Sequence, residues 1–392
     1  MRAPATVLHR CIAVAMAFLS GCASSTDAPR AMKPQSVVLL ITPKMLPDFA
    51  TPEAAVAQFL EHYRPLTSRA AETIVILAVG NSDHILTYRG REYRRDSVEW
   101  ARTTDHIAVS ARVLDYHQLD GIVRAFKSAA TTAGITLKIY DHIDSGSEFT
   151  VRNDFKYVLH PECTANKWGM FDIRGRLQSD ARVYASAPLG ITEGAGCGEF
   201  LATQVAAYVH DLGFDGMLFD NQLGTRGRWI PGDGPGYSSG EASAITSFLK
   251  YSQRVLAGRE LMWFDSYNPV GVERETFSFP VEGYPYFNYL IASGFCVIPT
   301  SQRYVENLES KLNLATPPRI LATLDYVDPW YSYRSLTDYP ACSSRLEQTA
   351  IDHRYEIDGV MFFASDAVGN LVPRTLVESF AERFFATNRS AE

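Results

Sequence analysis

Carboxylates follow short apolar runs at several places along the chain, a pattern typical of buried strands that end at a reactive edge. The clearest case is the run 214–219, which follows Gly213 and is followed by Asp220. Gly213 ends an amphipathic segment, so the stretch predicts a helix, a buried strand and then an acid. Such an acid either caps the next turn or takes part in chemistry at the carboxyl ends of a parallel barrel. Acids follow other predicted strands in the same way: Asp141, Asp265, Glu282, Asp325 and Asp366.

Acids that converge on one cavity repel one another, so some need shifted pKa values or hydrogen-bond donors. One carboxyl can then stay protonated while another stays ionised. Glycosidic bond cleavage uses this division, with one acid on the leaving oxygen and one carboxylate as nucleophile or base. We predict Asp220 and Glu282 as this catalytic pair. The residues predicted to bind substrate are Asp141, Asn221, Trp263, Asp265, Tyr284, Asp325, Tyr326 and Asp366.

Other catalytic schemes lack their motifs in this sequence. There is no Gly-x-Ser-x-Gly elbow and no phosphate-binding loop. The histidines are scattered, and only His142 stands at a predicted strand end. No cysteine or histidine pair has zinc-site spacing, so we expect neither a metal nor a cofactor.

Apolar runs alternate with amphipathic segments over most of the chain. This alternation predicts a (β/α)8 TIM barrel with long decorated loops. A doubly wound open sheet is the alternative, but Thr42-Pro43-Lys44 is not the Gly-rich turn that usually follows its first strand. The predicted strands are 36–42, 73–79, 135–140, 214–219, 260–264, 277–281, 319–324 and 357–363.

The first residues have the pattern of an export signal. Arg2 and Arg10 precede a short apolar run at 12–19, which is too short to span a bilayer. Leu19-Ser20-Gly21-Cys22 resembles a bacterial lipobox, which implies cleavage after residue 21 and a lipid on Cys22. A plain secretory signal is the alternative.

We therefore expect a lipoprotein signal peptide at 1–21, a tether at 22–35 and a single barrel domain at 36–392. By resemblance to sorted lipoproteins, Ala23 implies the outer membrane, to which the lipid on Cys22 would attach the chain.

Charge and cysteine content limit the partners and suggest an oxidising compartment. Cleavage after residue 21 would remove two arginines and change the formal net charge from −7 to −9. This argues against nucleic acid as a partner. The cysteines that remain beside Cys22 are expected to form disulfides, and proximity in sequence suggests the pairs Cys163–Cys197 and Cys296–Cys342.

The stretch 213–222 also carries a family resemblance. Gly213-Phe214-Asp215-Gly216, with Asp220-Asn221 after three further residues, resembles the strand-four signature of glycoside-hydrolase-like TIM barrels, including polygalactosaminidase-like and related families. The resemblance implies that Asp220 is the catalytic aspartate. Val281-Glu282-Gly283-Tyr284 is similar to the end of strand six in these families, which implies that Glu282 is the partner acid.

Two other barrel families resemble the same stretch and differ at one residue. In the chitinase-like barrels, the position of the general-acid glutamate corresponds to Gln222 of this chain. In endo-β-N-acetylglucosaminidases, which Trp263-Phe264-Asp265-Ser266 also resembles, the Asn and Glu pair falls on Asp220 and Gln222. A glutamine cannot donate a proton as a carboxylic acid does, so residue 222 does not suit the role of acid.

The sequence therefore predicts a lipid-anchored glycoside hydrolase that cleaves an envelope or extracellular polysaccharide or oligosaccharide. The alternative is a catalytically inactive carbohydrate-binding lipoprotein on the same scaffold, in which Gln222 marks the lost activity. An interaction scaffold would neither bind nor cleave a glycan.

Overall fold

Eight parallel strands close into a barrel in chain order. The computed structural model describes residues 32–41, 51–77, 116–143, 209–220, 239–266, 281–294, 304–327, 339–365 and 370–386, with residues 202, 206 and 296. The strands are β1 (Ser36–Ile41), β2 (Glu72–Leu77), β3 (Leu137–Ile143), β4 (Gly216–Asp220), β5 (Glu260–Ser266), β6 (Tyr289–Ser293), β7 (Arg319–Leu324) and β8 (Gly359–Phe363). The predicted (β/α)8 TIM barrel is confirmed.

Helices connect the strands on the outside. They are α1 (Pro52–Thr67), α2 (Tyr116–Ala133), α3 (Ser239–Leu256), α4 (Tyr304–Leu312), α5 (Tyr339–Asp352) and α6 (Arg374–Phe384), with a 3-10 helix at Val281–Tyr286. The start of α1 shows how the sequence fixes a helix end, because the Thr51 hydroxyl accepts the Ala54 N–H at 3.2 Å and Pro52 occupies the first position. Within the described ranges, no helix is both long and apolar enough to cross a membrane.

The sixth strand lies later in the chain than the sequence predicted. The prediction of a strand at 277–281 is wrong in its last residue, because Val281 begins the 3-10 helix. The observed β6 is Tyr289–Ser293. Residues 277–280 lie outside the described part of the chain. Glu282 therefore belongs to a helix between β5 and β6 and does not end a strand.

Two apolar layers hold the barrel together. The inner layer consists of strand residues alone, among them Leu218, Phe264 and Phe363. The outer layer joins the alternate strand residues, such as Phe219 and Trp263, to the helices. Side chains thus alternate strictly between the packed interior and the helix layer, as parallel strands buried on both faces require. This alternation decides which strand-end residues can reach the mouth, by which we mean the end of the barrel where the strands finish.

A charged network closes the opposite end of the barrel, where the strands begin. The Lys138 ammonium lies 2.6 Å from Glu72 Oε2 and 2.8 Å from Glu260 Oε2. Arg319 reaches Glu72 at 3.3 Å and also donates to the hydroxyl of Tyr289. Two cations thus balance two carboxylates.

The pKa shifts of this network follow from its contacts. Burial acts to raise the pKa of Glu72, but hydrogen bonds from Lys138 and Tyr289 outweigh it and lower that pKa below its ordinary value. Burial likewise acts to lower the pKa of Lys138, but hydrogen bonds to Glu260 and Glu72 outweigh it and raise that pKa. Both shifts favour the charged forms, so Glu72 and Lys138 are ionised near neutral pH.

Two glycines permit close contacts in the barrel wall. A Cβ at Gly216 would lie 2.5 Å from the Glu260 carbonyl oxygen and 2.7 Å from the Tyr140 ring. A Cβ at Gly359 would lie 2.0 Å from the carbonyl oxygen of Ser36, at the point where β8 pairs with β1. Neither position has room for a side chain.

The compact unit that contains the barrel runs from Lys33 to Glu392. Residues 1–31, and with them Cys22, lie outside the described residues. The signal peptide and tether boundaries therefore stay predictions, as does the lipid on Cys22.

Candidate active site

The inward positions of the strands change from apolar to polar at the mouth. His142 of β3 follows the inward residue Tyr140 by two positions and is 5% exposed. Asp325 follows β7 on the inward series that contains Leu321, and it is 1% exposed. Ser365 follows β8 two positions after the inward residue Phe363 and is fully buried. Imidazole, carboxylate and hydroxyl groups thus stand above an apolar barrel interior.

Asp220 occupies the last position of β4, with its Cα paired to that of Phe264. Position 220 belongs to the same alternate series as Leu218, whose side chain is in the interior layer. The predicted strand-end placement of Asp220 is confirmed. The side chain of Asp220 lies outside the described residues, as do Asn221, Gln222 and Asp366 as a whole, so their predicted roles stay predictions.

Asp265 lies in the helix layer, and the prediction that it faces the mouth is wrong. Because side chains alternate along β5, its side chain points to the same face as those of Leu261 and Trp263, which belong to the outer layer. Its Oδ2 is 2.6 Å from the ammonium of Lys311 on α4, and both side chains are fully buried. Lys311 also donates to Asn307 Oδ1 at 2.7 Å. A buried ion pair with this geometry positions α4 against the barrel wall.

Tyr284 and Trp263 contact the same buried carboxylate from the helix layer. The Tyr284 hydroxyl donates to Asp265 Oδ2 at 3.0 Å, and the Trp263 indole N–H is 3.4 Å from Asp265 Oδ1. The Trp263 ring packs on Phe287 with a centroid distance of 5.5 Å. Both aromatic side chains are almost completely buried. Neither ring faces the mouth, contrary to the prediction that they bind a sugar there.

Asp141 and Tyr326 also lie outside the barrel interior. Asp141 follows the outer-layer residue Ile139 by two positions on β3, so it lies on the same outward face, and it is fully buried. Tyr326 stacks on the outer-layer residue Phe362, with centroids 5.8 Å apart, and burial raises its pKa. The prediction that these two residues line the mouth is therefore wrong. The sequence placed both residues at strand ends but could not show whether their side chains point inward or outward.

Asp325 directly follows the carboxyl end of β7, and its role in substrate binding stays a prediction. Its Oδ2 accepts the backbone N–H of Cys296 at 2.8 Å. Cys296 forms a disulfide with Cys342 of α5, which confirms the second predicted cysteine pair. Cys163 and Cys197 lie outside the described residues.

Glu282 is two residues before Tyr284 in the 3-10 helix, and its side chain is not among those described. Since the Tyr284 hydroxyl reaches Asp265 near the end of β5, the helix packs against the outer side of that strand. The placement of Glu282 at the end of strand six is thus wrong, and its catalytic role stays a prediction.

His142 and Ser365 are mouth residues that sequence reasoning did not assign to the site. His142 stands beside Asp141 at a predicted strand end. Because successive side chains of a strand point to opposite faces, only one of the two can face inward, and this pattern could have identified His142. Ser365 directly precedes Asp366, the acid that was predicted to bind substrate. In the described part of the chain, no group of three or more acids, histidines and cysteines could hold a metal ion.

No protein-family model and no curated protein sequence matches the chain. Similar solved structures include an α-galactosidase from Thermus thermophilus, solved with p-nitrophenyl α-D-galactopyranoside, at 11% identity and a TM-score of 0.45. The match covers 90% of this chain and 63% of that one, so this chain spans less than two thirds of the α-galactosidase.

A chitinase from Bacteroides thetaiotaomicron matches at 9% identity and a TM-score of 0.45, over 92% of this chain and 99% of that one. The catalytic domain of a chitinase from the fern Peteris ryukyuensis matches at 9% identity and a TM-score of 0.47, over 90% and 100%. These structural neighbours are glycoside hydrolases.

Proposed function

We propose that the chain is a glycoside hydrolase that binds and cleaves a polysaccharide at the mouth of the barrel. The observation that carries the proposal is the change of the inward positions from apolar to polar at this end. In TIM-barrel enzymes the catalytic residues come from the carboxyl ends of several strands. The proposal is supported by the positions of Asp220, His142, Asp325 and Ser365, each of which lies within two residues of the carboxyl end of a strand.

Two carboxylates are needed, and Asp220 is the first. We propose that it acts as nucleophile or base, because it ends β4 on the inward series. Glu282 is the proposed acid, on the basis of its resemblance to a partner acid in glycosidase families. Asp325 is the competing candidate, because it occupies an inward position directly after β7.

The test is hydrolysis of a panel of neutral and amino-sugar polysaccharides by wild type, Asp220→Asn, Glu282→Gln and Asp325→Asn. Loss of a general acid or base lowers the rate by about 10²–10⁴-fold, so we expect Asp220→Asn and one of the other two variants to fall in that range. Glu309→Gln, an exposed position on α4, is the matched control and should keep full activity. Wild-type cleavage that Asp220→Asn retains would contradict the assignment.

The same experiment separates the alternative function. Binding of a glycan without any product would favour a catalytically inactive carbohydrate-binding protein. If a product appears, the anomer formed first distinguishes retention from inversion of configuration. Retention corresponds to carboxyl groups about 5–5.5 Å apart and inversion to groups about 6.5–9.5 Å apart.

We further propose that the chain is attached to the bacterial envelope, by preference the outer membrane, through a lipid on Cys22. The proposal is supported by the short apolar run before Cys22 and by the lipobox-like residues 19–22. Cys22→Ala should move the protein from the membrane fraction to the soluble exported fraction. An unchanged membrane fraction for this variant would contradict the lipid anchor.

A further inference from the structure

The segment after β6 is fastened to two neighbouring elements at the mouth. Cys296 is linked to Cys342 of α5 by a disulfide with a Cα–Cα distance of 5.4 Å. The amide of the same cysteine donates to Asp325 Oδ2 at 2.8 Å, in a buried hydrogen bond. One residue thus carries both a covalent link to the helix layer and a charge-assisted link to the end of β7.

The packing around Cys296 leaves little space for movement. The Tyr304 hydroxyl donates to the Thr323 carbonyl oxygen at 3.1 Å, which joins the start of α4 to β7. A Cβ at Gly294 would lie 2.6 Å from the Tyr304 ring and 2.7 Å from Leu346. Tyr304 and Leu346 form an apolar cluster with the two cysteines. The backbone that leaves β6 therefore packs directly onto these two side chains.

A disulfide needs no carboxylate to stabilise a fold, since its effect comes mainly from restricting the unfolded chain. A buried carboxylate loses hydration, and a hydrogen bond to its charged form compensates only when the donor is well placed. The Asp325 contact therefore fixes the position of the Cys296 amide more closely than the disulfide would alone. That position lies at the mouth, beside the last residues of β6 and β7.

We propose that Asp325, Cys296 and Cys342 form a clamp that positions the end of β6 at the mouth, so that the backbone there keeps the geometry that substrate binding and turnover need. This inference rests on the proposed function. Cys296 and Cys342 are positioning residues, whereas Asp325 is also a candidate for the catalytic acid, so the kinetic test of the clamp uses Cys342→Ala.

The experiment uses the full chain as wild type, Cys342→Ala and Asp325→Ala, with Leu66→Ala as a control for general loss of stability. Leu66 is fully buried in the last turn of α1, far along the chain from the clamp. Two quantities are measured well below the unfolding temperature of each variant: hydrogen exchange of the Cys296 amide, which needs no substrate, and kcat and KM on the polysaccharide that wild type cleaves. Cys342→Ala leaves the Cys296 amide in place, and this variant is kept in reducing buffer so that the Cys296 thiol stays unoxidised.

If the clamp positions the mouth, the Cys296 amide should exchange at least about 10-fold faster in Cys342→Ala and in Asp325→Ala, and the kcat of Cys342→Ala should fall by about 10-fold or more. Leu66→Ala should lower the unfolding temperature and leave both readouts unchanged. Faster exchange in Cys342→Ala with unchanged kcat and KM would reduce the clamp to a stabilising staple and overturn the inference. Unchanged exchange in Asp325→Ala would overturn it as well.

The two proposals fail in different ways. If wild type cleaves no polysaccharide, the proposed hydrolase is refuted, and the exchange rate of the Cys296 amide still tests whether the clamp restrains the end of β6. If wild type cleaves a polysaccharide, and Cys342→Ala shows the same amide exchange rate and the same kcat as Leu66→Ala, the hydrolase stands and the clamp is refuted.

Discussion

Lys138→Met should remove the central cation of the charged network at the start of the strands. Its ammonium lies 2.6 Å from Glu72 and 2.8 Å from Glu260, so methionine leaves two carboxylates with Arg319 as the remaining cation among the described residues of the network. The local charge changes from neutral to one net negative charge. Removing one partner of a fully buried pair costs about 3–5 kcal/mol, whereas an exposed pair contributes about 0–1 kcal/mol. Because Lys138 is 27% exposed, we expect a loss of about 2–3 kcal/mol of unfolding free energy.

The pH dependence of this loss has a definite sign. The pKa of Glu72 is lowered in the folded state, so its contribution is present above the unfolded pKa of about 4.3 and is lost as the pH falls through the folded value. The pKa of Lys138 is raised, so its contribution is present below about 10.4 and is lost as the pH rises through the folded value. The gap between wild type and Lys138→Met should therefore be largest near neutral pH and should shrink in acid.

Urea unfolding followed by tryptophan fluorescence at pH 7 and near pH 4 measures this gap. Lys250→Met on the exposed face of α3 is the matched control, for which we expect a change within about 0.5 kcal/mol. If Lys138→Met unfolds at the wild-type urea concentration at pH 7, the network contributes no stability. If the gap stays constant down to pH 4, its origin is not the repulsion between the two glutamates.

Three further predictions concern the core. Lys311→Met should destabilise the fold by about 3–5 kcal/mol, because Asp265 keeps a buried charge; Asp265→Leu combined with Lys311→Met should recover part of this loss in thermal unfolding. Gly216→Ala should lower the unfolding free energy by about 1–3 kcal/mol, because its Cβ would meet the Glu260 carbonyl oxygen at 2.5 Å; an unchanged denaturant midpoint would contradict this steric argument. Phe380→Ala should cost about 3–5 kcal/mol, since the ring packs fully buried between α6 and the barrel, and calorimetry would show no change if that packing were unimportant.

The sequence was sufficient to predict the barrel because its strands are buried on both faces. The run 319–324 matches β7 at both ends, bounded by two prolines before it and by Asp325 after it. Strand β6 was missed because its run, Tyr289–Ser293, is short and no acid follows it. The predicted strand at 277–281 contains Pro280, which argued against a central strand.

The parity of the strand-end residues could not be read from the sequence. A continuous apolar run looks the same from both faces, and a shift of one residue exchanges inward and outward positions. Strands β3 and β5 extend past their predicted ends, so Asp141 and Asp265 lie within them at outward positions. Lys311, the partner of Asp265, lies on a distant helix that no local pattern connects to β5. By contrast, Asp220 and Asp325 were predicted at strand ends and do occupy inward positions there.

Gly359 bears on the order in which the barrel can be completed. Its α-carbon passes so close to the Ser36 carbonyl oxygen that only a hydrogen atom fits between them, at the junction of the first and last strands. Until β8 has been synthesised, β1 has one edge of unpaired N–H and C=O groups that another chain could pair with. Gly359→Ala should weaken the pairing of β8 with β1, and we expect the exposed edge of β1 to show as self-association, which size-exclusion chromatography would measure.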